Sequence, residues 1–282
     1  MTAISLDEAQ AILADRNLIA AGARGDEERR RRHGLRTTFV RVFEVHTDLI
    51  PSALPASARA GEIRVTGKPQ SVASAIASIK AARALAGPTP VSAYSLADLL
   101  DLAGGTLASL TDLMARFAAA GLEMVAEAPI DRLPDAVAAV RAARDAGVRV
   151  PRLTVHEAGP GDALRLAALA REIQAAVGSV HAFAPLPRVI AVAQPSTGYD
   201  DVRQVAVARL LADNIDSIQV DWGLYGPKLA QVSLTMGADD VDGVSPLEGD
   251  LGRRRSPLEE IRGNITAAGL EPVERDGSWN TR

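Results

Sequence analysis

The sequence has 282 residues, of which 47% are hydrophobic and 3% aromatic, and its formal net charge is −4. This length provides one large domain or two small ones, and the mildly acidic balance argues against a nucleic-acid-binding surface, which would be strongly basic. The absence of cysteine excludes disulfides, a cysteine nucleophile, cysteine-ligated zinc and a thiolate-bound iron–sulfur cluster in this chain.

The N-terminal segment is amphipathic, with acidic residues early and no long apolar run. Apolar residues at helical spacing predict a helix over 6–22, and a second, highly charged helix over 25–33. No stretch of the sequence reaches the roughly 18 apolar residues that a membrane span needs. We therefore expect a helical extension over 1–36, no signal peptide, no membrane association and a cytoplasmic location.

From residue 37 onward, short runs rich in β-branched residues alternate with segments of helical period. The runs predict strands over 37–45, 62–66, 90–94, 122–127, 150–156, 180–185, 217–221 and 239–244. The intervening segments predict helices over 71–86, 106–120, 132–146, 161–177, 200–213, 226–236 and 257–268. Several of these helices are followed by a glycine, the residue that best adopts the left-handed conformation that ends a helix.

Eight strands, each except the first followed by a helix, predict an α/β fold. We expect a (β/α)8 TIM-type barrel over 37–282 with a C-terminal tail, since such barrels take about 250 residues. A doubly wound open sheet is the structural alternative. The first connection, residues 46–60, contains two prolines and is too short for an ordinary crossover helix.

In a barrel of this type the C-terminal ends of the strands form the functional face. Glu44 and His46 lie two positions apart in a strand and so point to the same side. Together with His156 and Asp221 they are the candidate catalytic residues, as acid–base groups or as ligands of a divalent metal; hydrogen-bonded strand ends are the structural alternative. The strand ends also supply Tyr94 as a candidate substrate-binding residue.

The most informative stretch is residues 197–244, TGYDDVRQVAVARLLADNIDSIQVDWGLYGPKLAQVSLTMGADDVDGV. It closely resembles aminofutalosine synthase of the futalosine pathway to menaquinone, and the sister radical S-adenosylmethionine (SAM) enzymes dehypoxanthine futalosine cyclase and the deazaflavin-synthesis proteins. Residues 172–186 and 258–276 resemble other parts of the same family. The resemblance implies a barrel of the radical SAM type, in agreement with the predicted strands.

The resemblance also implies roles for particular residues. Gly67 and Glu127 fall where the family contacts SAM, and are the candidate cofactor-binding residues. Trp222, Asp240 and Asp242 fall in the family's C-terminal motifs, and are candidate substrate-binding residues. The family binds its four-iron–four-sulfur cluster through CxxxCxxC in the loop after the first strand, but the corresponding residues here, HTDLIPSALPASARA, contain no cysteine.

We therefore expect a cluster-less relative of aminofutalosine synthase that performs no radical chemistry. Its expected role is that of a partner or ligand-binding subunit in menaquinone biosynthesis, working with a cluster-bearing radical SAM homologue or another pathway enzyme and with a small-molecule ligand, but not with nucleic acid. No cofactor is expected; SAM binding without cleavage is a further possibility. The alternative function is an enzyme that uses acid–base or divalent-metal chemistry on a nucleoside-like or aromatic-acid substrate.

Overall fold

The structure, a computed structural model, describes residues 4–15, 17–189, 196–247 and 258–282. Its strands are β1 (Arg36–His46), β2 (Glu62–Thr66), β3 (Val91–Ser95), β4 (Met124–Pro129), β5 (Arg152–Val155), β6 (Ala182–Pro187), β7 (Ser217–Asp221), β8 (Asp240–Val244) and β9 (Glu271–Arg275). Its helices are α1 (Leu6–Ala14), α2 (Leu18–His33), α3 (Val72–Ala86), α4 (Leu96–Leu102), α5 (Leu107–Ala119), α6 (Ala136–Asp145), α7 (Ala163–Val177), α8 (Gly198–Leu211), α9 (Trp222–Leu234) and α10 (Leu258–Ala267). None of the helices in these ranges is long and apolar enough to cross a membrane.

Strands β1 to β8 form a closed parallel barrel. Each strand from β2 to β7 pairs with the next, and β1 pairs with β2 through residues 42–46 and with β8 through residues 38–41. An open doubly wound sheet would have two edge strands, each with one unpaired side. Here β1 pairs on both sides, so the sheet is closed. The predicted (β/α)8 barrel is thereby confirmed, and each of its eight predicted strands overlaps an observed one.

Strand β9 was not predicted. It pairs in parallel with residues 36–40 of β1. The same edge of β1 pairs with β2 through residues 42–46. Its sequence, EPVER, contains a proline and two glutamates and is mostly half-buried or exposed, so it lacks the pattern typical of a core strand. The pairing depends on β1 being longer than its barrel neighbours.

The boundary between the two N-terminal helices differs from the predicted one: α1 ends at Ala14 and α2 begins at Leu18, whereas the predicted helices were 6–22 and 25–33. Ser5 begins α1 with a capping box, and Asn17 caps α2, which continues through Gly22 and Gly25 instead of breaking there. A Cβ atom on Gly22 would lie 2.1 Å from the sulfur of Met236, and one on Gly25 would lie 2.2 Å from the Met236 carbonyl oxygen. These glycines therefore allow a close approach between α2 and the barrel, and do not end a helix.

The apolar core lies between the barrel and its helices. In β2, Ile63 and Val65 are fully buried in this core, whereas Glu62 and Arg64 form ion pairs inside the barrel. Alternate residues of a strand face opposite sides, so the charged residues point inward. The barrel interior is therefore polar. Residues 47–60, between β1 and β2, contain no helix, as expected, while the unpredicted α4 begins directly after β3.

Candidate functional site at the barrel mouth

The lower part of the barrel interior is closed by Asp240, the first residue of β8. Its carboxylate accepts two hydrogen bonds from the Arg275 guanidinium at 2.6 and 2.7 Å, one from Gln219 at 2.7 Å and one from Thr38 at 2.5 Å. Asp240 is fully buried and lies at the end of the barrel opposite to the mouth. Its hydrogen bonds with Arg275 tie β9 to β8, and its predicted role in substrate binding stays a prediction.

Asp242 lies in the middle of the barrel interior and binds arginine side chains from neighbouring strands. Arg64 donates two hydrogen bonds to the Asp242 carboxylate at 2.9 and 3.0 Å and two more to Glu62 at 2.9 Å. Arg152 also contacts Asp242, and its guanidinium donates to the carbonyl oxygen of Ala126. Burial raises the pKa of Asp242, but Arg152 and Arg64 outweigh it, so the pKa lies well below its usual range and the carboxylate is ionised.

Arg188, directly after β6, connects carboxylates from three strands at the mouth. Its Nη1 donates a hydrogen bond to Asp221 at 3.2 Å, its Nε lies 3.0 Å from a Glu127 oxygen, and its Nη2 lies 3.7 Å from Asp242. The last two contacts are ion pairs only. Both nitrogen atoms, Nε and Nη2, are buried and make no hydrogen bond. Burial lowers the pKa of Arg188, but Glu127 and Asp221 outweigh it and raise it overall.

His156 and Glu127 form a dyad on the same side of the mouth, with His156 Nε2 2.8 Å from a Glu127 oxygen. Burial raises the pKa of Glu127, but Arg188 and the bond to His156 outweigh it, and the pKa lies well below its usual range. An ionised carboxylate only accepts, so Nε2 is the donor of this hydrogen bond. Asp131 fixes this geometry by accepting hydrogen bonds from the backbone N–H groups of residues 156, 157 and 158.

Gly67 lies under the imidazole of His46. Its φ is +88°, and a Cβ atom there would lie 2.5 Å from His46 Nε2. The His46 side chain is 57% exposed and lies 3.7 Å from Asp48, and Gly67 is itself exposed. The predicted role of Gly67 in cofactor binding stays a prediction.

Tyr94 and Trp222 are buried near the mouth, and Tyr94 contributes to the lining of a cavity there. The Tyr94 hydroxyl hydrogen-bonds with Thr47 at 2.9 Å, its ring is 1% exposed, and its φ of +65° is unusual for a residue with a side chain. Trp222 is fully buried at the first turn of α9, directly after Asp221, which caps that helix by accepting from the backbone N–H of Leu224 at 2.9 Å. Their predicted roles in substrate binding stay predictions.

Two cavities open at the mouth and share Glu44 and Arg188. The larger, of about 360 Å³, is bounded by the ends of β1, β7 and β8; the smaller, of about 160 Å³, is bounded by the ends of β1 to β5. Glu44 is exposed at the end of β1. The structure thus brings Glu44, Glu127 and Asp221 together around Arg188, with His156 against Glu127, while His46 is directed toward Gly67. The catalytic or binding roles of these residues stay predictions.

The donor atoms at the mouth do not fit an iron–sulfur cluster. The segment after β1 provides imidazole, hydroxyl and carboxylate groups where such a cluster needs thiolates, and the chain has no cysteine. Within the described parts of the chain, no group of three or more histidine, aspartate or glutamate side chains is arranged to hold a metal ion.

The arginines of the interior were missed by the sequence analysis, which considered only the residues at strand ends. Arg64 and Arg152 lie in mid-barrel, and Arg188 follows β6. The sequence does contain a pattern that indicates them. Polar residues occupy every second position at 62, 64 and 66 and again at 152, 154 and 156. Polar residues at a spacing of two in a barrel strand predict a polar lumen, since TIM-type interiors are usually filled by branched apolar side chains.

Comparison with known proteins agrees with this architecture. The chain superposes on methylornithine synthase (PylB) with a TM-score of 0.65 at 12% identity, covering 96% of this chain and 95% of that one. It superposes on the FeFe-hydrogenase maturase HydG from Carboxydothermus hydrogenoformans with a TM-score of 0.64 at 12% identity, covering 96% and 76%. At these identities the likeness establishes the fold alone, a (β/α) barrel.

Sequence relatives share a shorter segment. The chain is 36% identical over 124 residues to aminodeoxyfutalosine synthase of Thermus thermophilus, covering 39% of this chain and 33% of that enzyme. It is 34% identical over 125 residues to the 5-amino-6-(D-ribitylamino)uracil–L-tyrosine 4-hydroxyphenyl transferase of Archaeoglobus fulgidus, covering 40% and 36%. The matched segment thus spans about a third of the length of these relatives. Residues 181–282 match the family described as CofH/MqnC C-terminal region, in agreement with the resemblance seen in the sequence.

Proposed function

We propose that this protein is a cluster-less barrel of the radical SAM type that binds a small molecule in its mouth, as a non-radical subunit in menaquinone biosynthesis through futalosine. The observation that carries the proposal is the complete lack of cysteine in a chain that keeps the radical SAM barrel and a CofH/MqnC C-terminal region. Radical cleavage of SAM needs a thiolate-bound cluster, whereas ligand binding needs only the mouth.

The mouth supports ligand binding by its shape and rigidity. The larger cavity falls within the size range of small-molecule pockets, and its wall combines apolar side chains with a few fixed charges. Arg188, Glu127 and Asp221 hold one another in position, so these groups are already ordered before a ligand arrives.

The names of the relatives support the choice of ligand class. One group is named for aminodeoxyfutalosine, and the other for 5-amino-6-(D-ribitylamino)uracil and L-tyrosine. The first two compounds combine a heterocycle-derived group with a sugar-like chain. We propose a nucleoside-like ligand of this class for the present protein.

Isothermal titration calorimetry tests ligand binding, with aminodeoxyfutalosine and 5-amino-6-(D-ribitylamino)uracil as the probes. We expect saturable heat with at least one probe, and its loss in Ser245→Trp, which fills the larger cavity. Val232→Trp, on the exposed side of α9, is the matched control and keeps the binding. Absence of heat with both probes in the wild-type protein rejects the proposal.

The partner is proposed to be a cluster-bearing radical SAM homologue or another enzyme of the same pathway. Affinity purification of the tagged protein from its native host, followed by mass spectrometry, tests this part. We expect such an enzyme among the proteins enriched over an untagged control. Repeated purifications without any pathway enzyme reject the partner role and leave ligand binding to be judged by calorimetry.

A second candidate function, acid–base catalysis, is favoured by the His156–Glu127 dyad. The Glu127 carboxylate orients the His156 ring through Nε2, an arrangement that general bases use. Mass spectrometry of each probe after incubation with the protein tests it. A product that disappears in His156→Gln, while calorimetric binding persists, supports catalysis; an unchanged probe with wild-type protein rejects it.

A further inference from the structure

The positive charges that line the two cavities are already neutralised. Each of them pairs with at least one carboxylate: Arg64 with Glu62 and Asp242, Lys68 with Asp101, Arg152 with Asp242, and Arg188 with Glu127 and Asp221. The Nε and Nη2 donors of Arg188 lack hydrogen bonds but are buried, so they do not reach the cavity surface. An anionic ligand therefore meets no free cation among the described residues of the mouth.

The carboxylate of Glu44 is in the opposite situation. The other carboxylates that line the cavities have cationic partners, namely Asp98 with Arg132, and Glu127 and Asp221 with Arg188. Glu44 is exposed and, among the described residues, has neither a hydrogen bond nor an ion pair. It lies on the edge that both cavities share, so a ligand in either cavity comes close to an uncompensated negative charge.

The wall of the larger cavity next to Glu44 is apolar. Phe43, Leu224, Pro246 and Leu247 contribute to it, and Gly223 and Gly243 add surface without side chains. Gly243 has a φ of +72°, and a Cβ atom there would lie 3.0 Å from an Asp221 oxygen, so the chain is confined to glycine at this point. An apolar wall beside a few oriented polar groups is the usual composition of a site for a heterocyclic ligand.

We propose that the mouth selects a nucleoside-like molecule that carries a protonated amine and no phosphate. Its amine pairs with Glu44 at the shared edge of the cavities, and its heterocycle lies against the wall formed by Phe43, Leu224 and Pro246. Phosphorylated nucleosides bind more weakly, because no free cation among the described residues of the mouth offsets the repulsion between their phosphate and Glu44. This inference rests on the proposed function, because it concerns the ligand of the same mouth.

A charge series on one scaffold tests the inference by calorimetry. The probes are 5′-amino-5′-deoxyadenosine, adenosine and adenosine 5′-monophosphate, which share the base and the ribose and differ in charge. We expect the amine to bind most tightly and the monophosphate most weakly. Glu44→Gln should weaken binding of the amine about tenfold, the size expected for one charge-assisted hydrogen bond, and should change binding of adenosine much less.

Glu157→Gln is the matched control, because Glu157 is exposed on the segment after β5 but lines neither cavity, and it should leave all three affinities unchanged. Monophosphate binding as tight as that of the amine, or no effect of Glu44→Gln, overturns the inference and leaves ligand binding intact. Absence of heat with this series, together with heat from the probes used for the proposed function, overturns the inference alone. Absence of heat with every probe overturns the proposed function itself.

Discussion

Asp242 is the carboxylate around which the arginines inside the barrel are arranged. It is fully buried, and guanidinium groups from β2 and β5 contact it directly. Because these groups keep its pKa well below the usual range, Asp242 is an anion in the folded protein. Its removal would leave Arg64 and Arg152 buried with too little negative charge around them, and the cost of an uncompensated buried charge is large.

Replacing Asp242 by asparagine is therefore expected to lower the free energy of unfolding by roughly 3–5 kcal/mol, as for other broken buried ion pairs. Urea denaturation followed by circular dichroism measures the change. Asp101→Asn is the matched control: Asp101 pairs with Lys68 at 2.8 Å, but both side chains are more than half exposed, so the loss should be at most about 1 kcal/mol. Equal losses in the two variants would contradict the argument.

Gly67 offers a test at the entrance of the mouth. A residue with a side chain pays roughly 1–2 kcal/mol for a left-handed backbone, so Gly67→Ala and Gly178→Ala should each lower stability by about this amount. Only at Gly67 does the new methyl group meet another side chain, because nothing lies within 4 Å of a Cβ at Gly178. His46 is exposed enough to move aside, so its imidazole NMR signals should shift in Gly67→Ala and stay unchanged in Gly178→Ala. Unshifted His46 signals in Gly67→Ala would contradict the observed contact.

At the scale of elements, sequence patterns predicted the barrel strands better than the elements attached to them. Eight strands were recognisable because each is a short apolar run next to a helix of clear period. The boundary between α1 and α2 was misplaced because glycine is ambiguous: it ends helices, but at Gly22 and Gly25 it admits Met236. β9 was missed because its pairing partner, the lower half of β1, is distant in sequence.

Helix α2 carries a charge cluster whose effect on stability depends on pH. Arg31 and Arg32 donate hydrogen bonds to Glu28 at 2.7 Å, and the bond from Arg31 has the largest part in lowering the Glu28 pKa from 4.5 to about 2. Between these two values the unfolded chain binds more protons than the folded one, so this contribution to stability rises with pH. It is complete above pH 4.5 and is lost as the pH falls through about 2.

Glu28→Gln should therefore be less stable than the wild type at neutral pH, and the difference should shrink as the pH falls from about 5 to about 2. Urea denaturation at a series of pH values measures it. Glu27→Gln, at an exposed neighbouring position on the same helix, should show no such dependence. A constant difference across the series would show that Glu28 acts through packing and not through its charge.

At the scale of the whole molecule, the sequence predicted where the candidate site lies but not its internal chemistry. Strand ends indicated Glu44, Glu127, His156 and Asp221, and these side chains do meet at the mouth. Arg188 organises them, yet no local pattern marks it, because its three carboxylate partners come from β4, β7 and β8. Such a contact exists only once the barrel is closed, so single-strand patterns cannot reveal it.

The barrel and its missing cysteines lead to a prediction about the intact protein. Anaerobic incubation with iron and sulfide should give no visible charge-transfer absorption, because a chain without cysteine offers no thiolates to a cluster. With SAM and a strong reductant, the same sample should release no 5′-deoxyadenosine. Release of 5′-deoxyadenosine by the present protein would contradict the proposed non-radical role, since the electron would then come from a centre held by oxygen and nitrogen ligands such as Glu44 and His156.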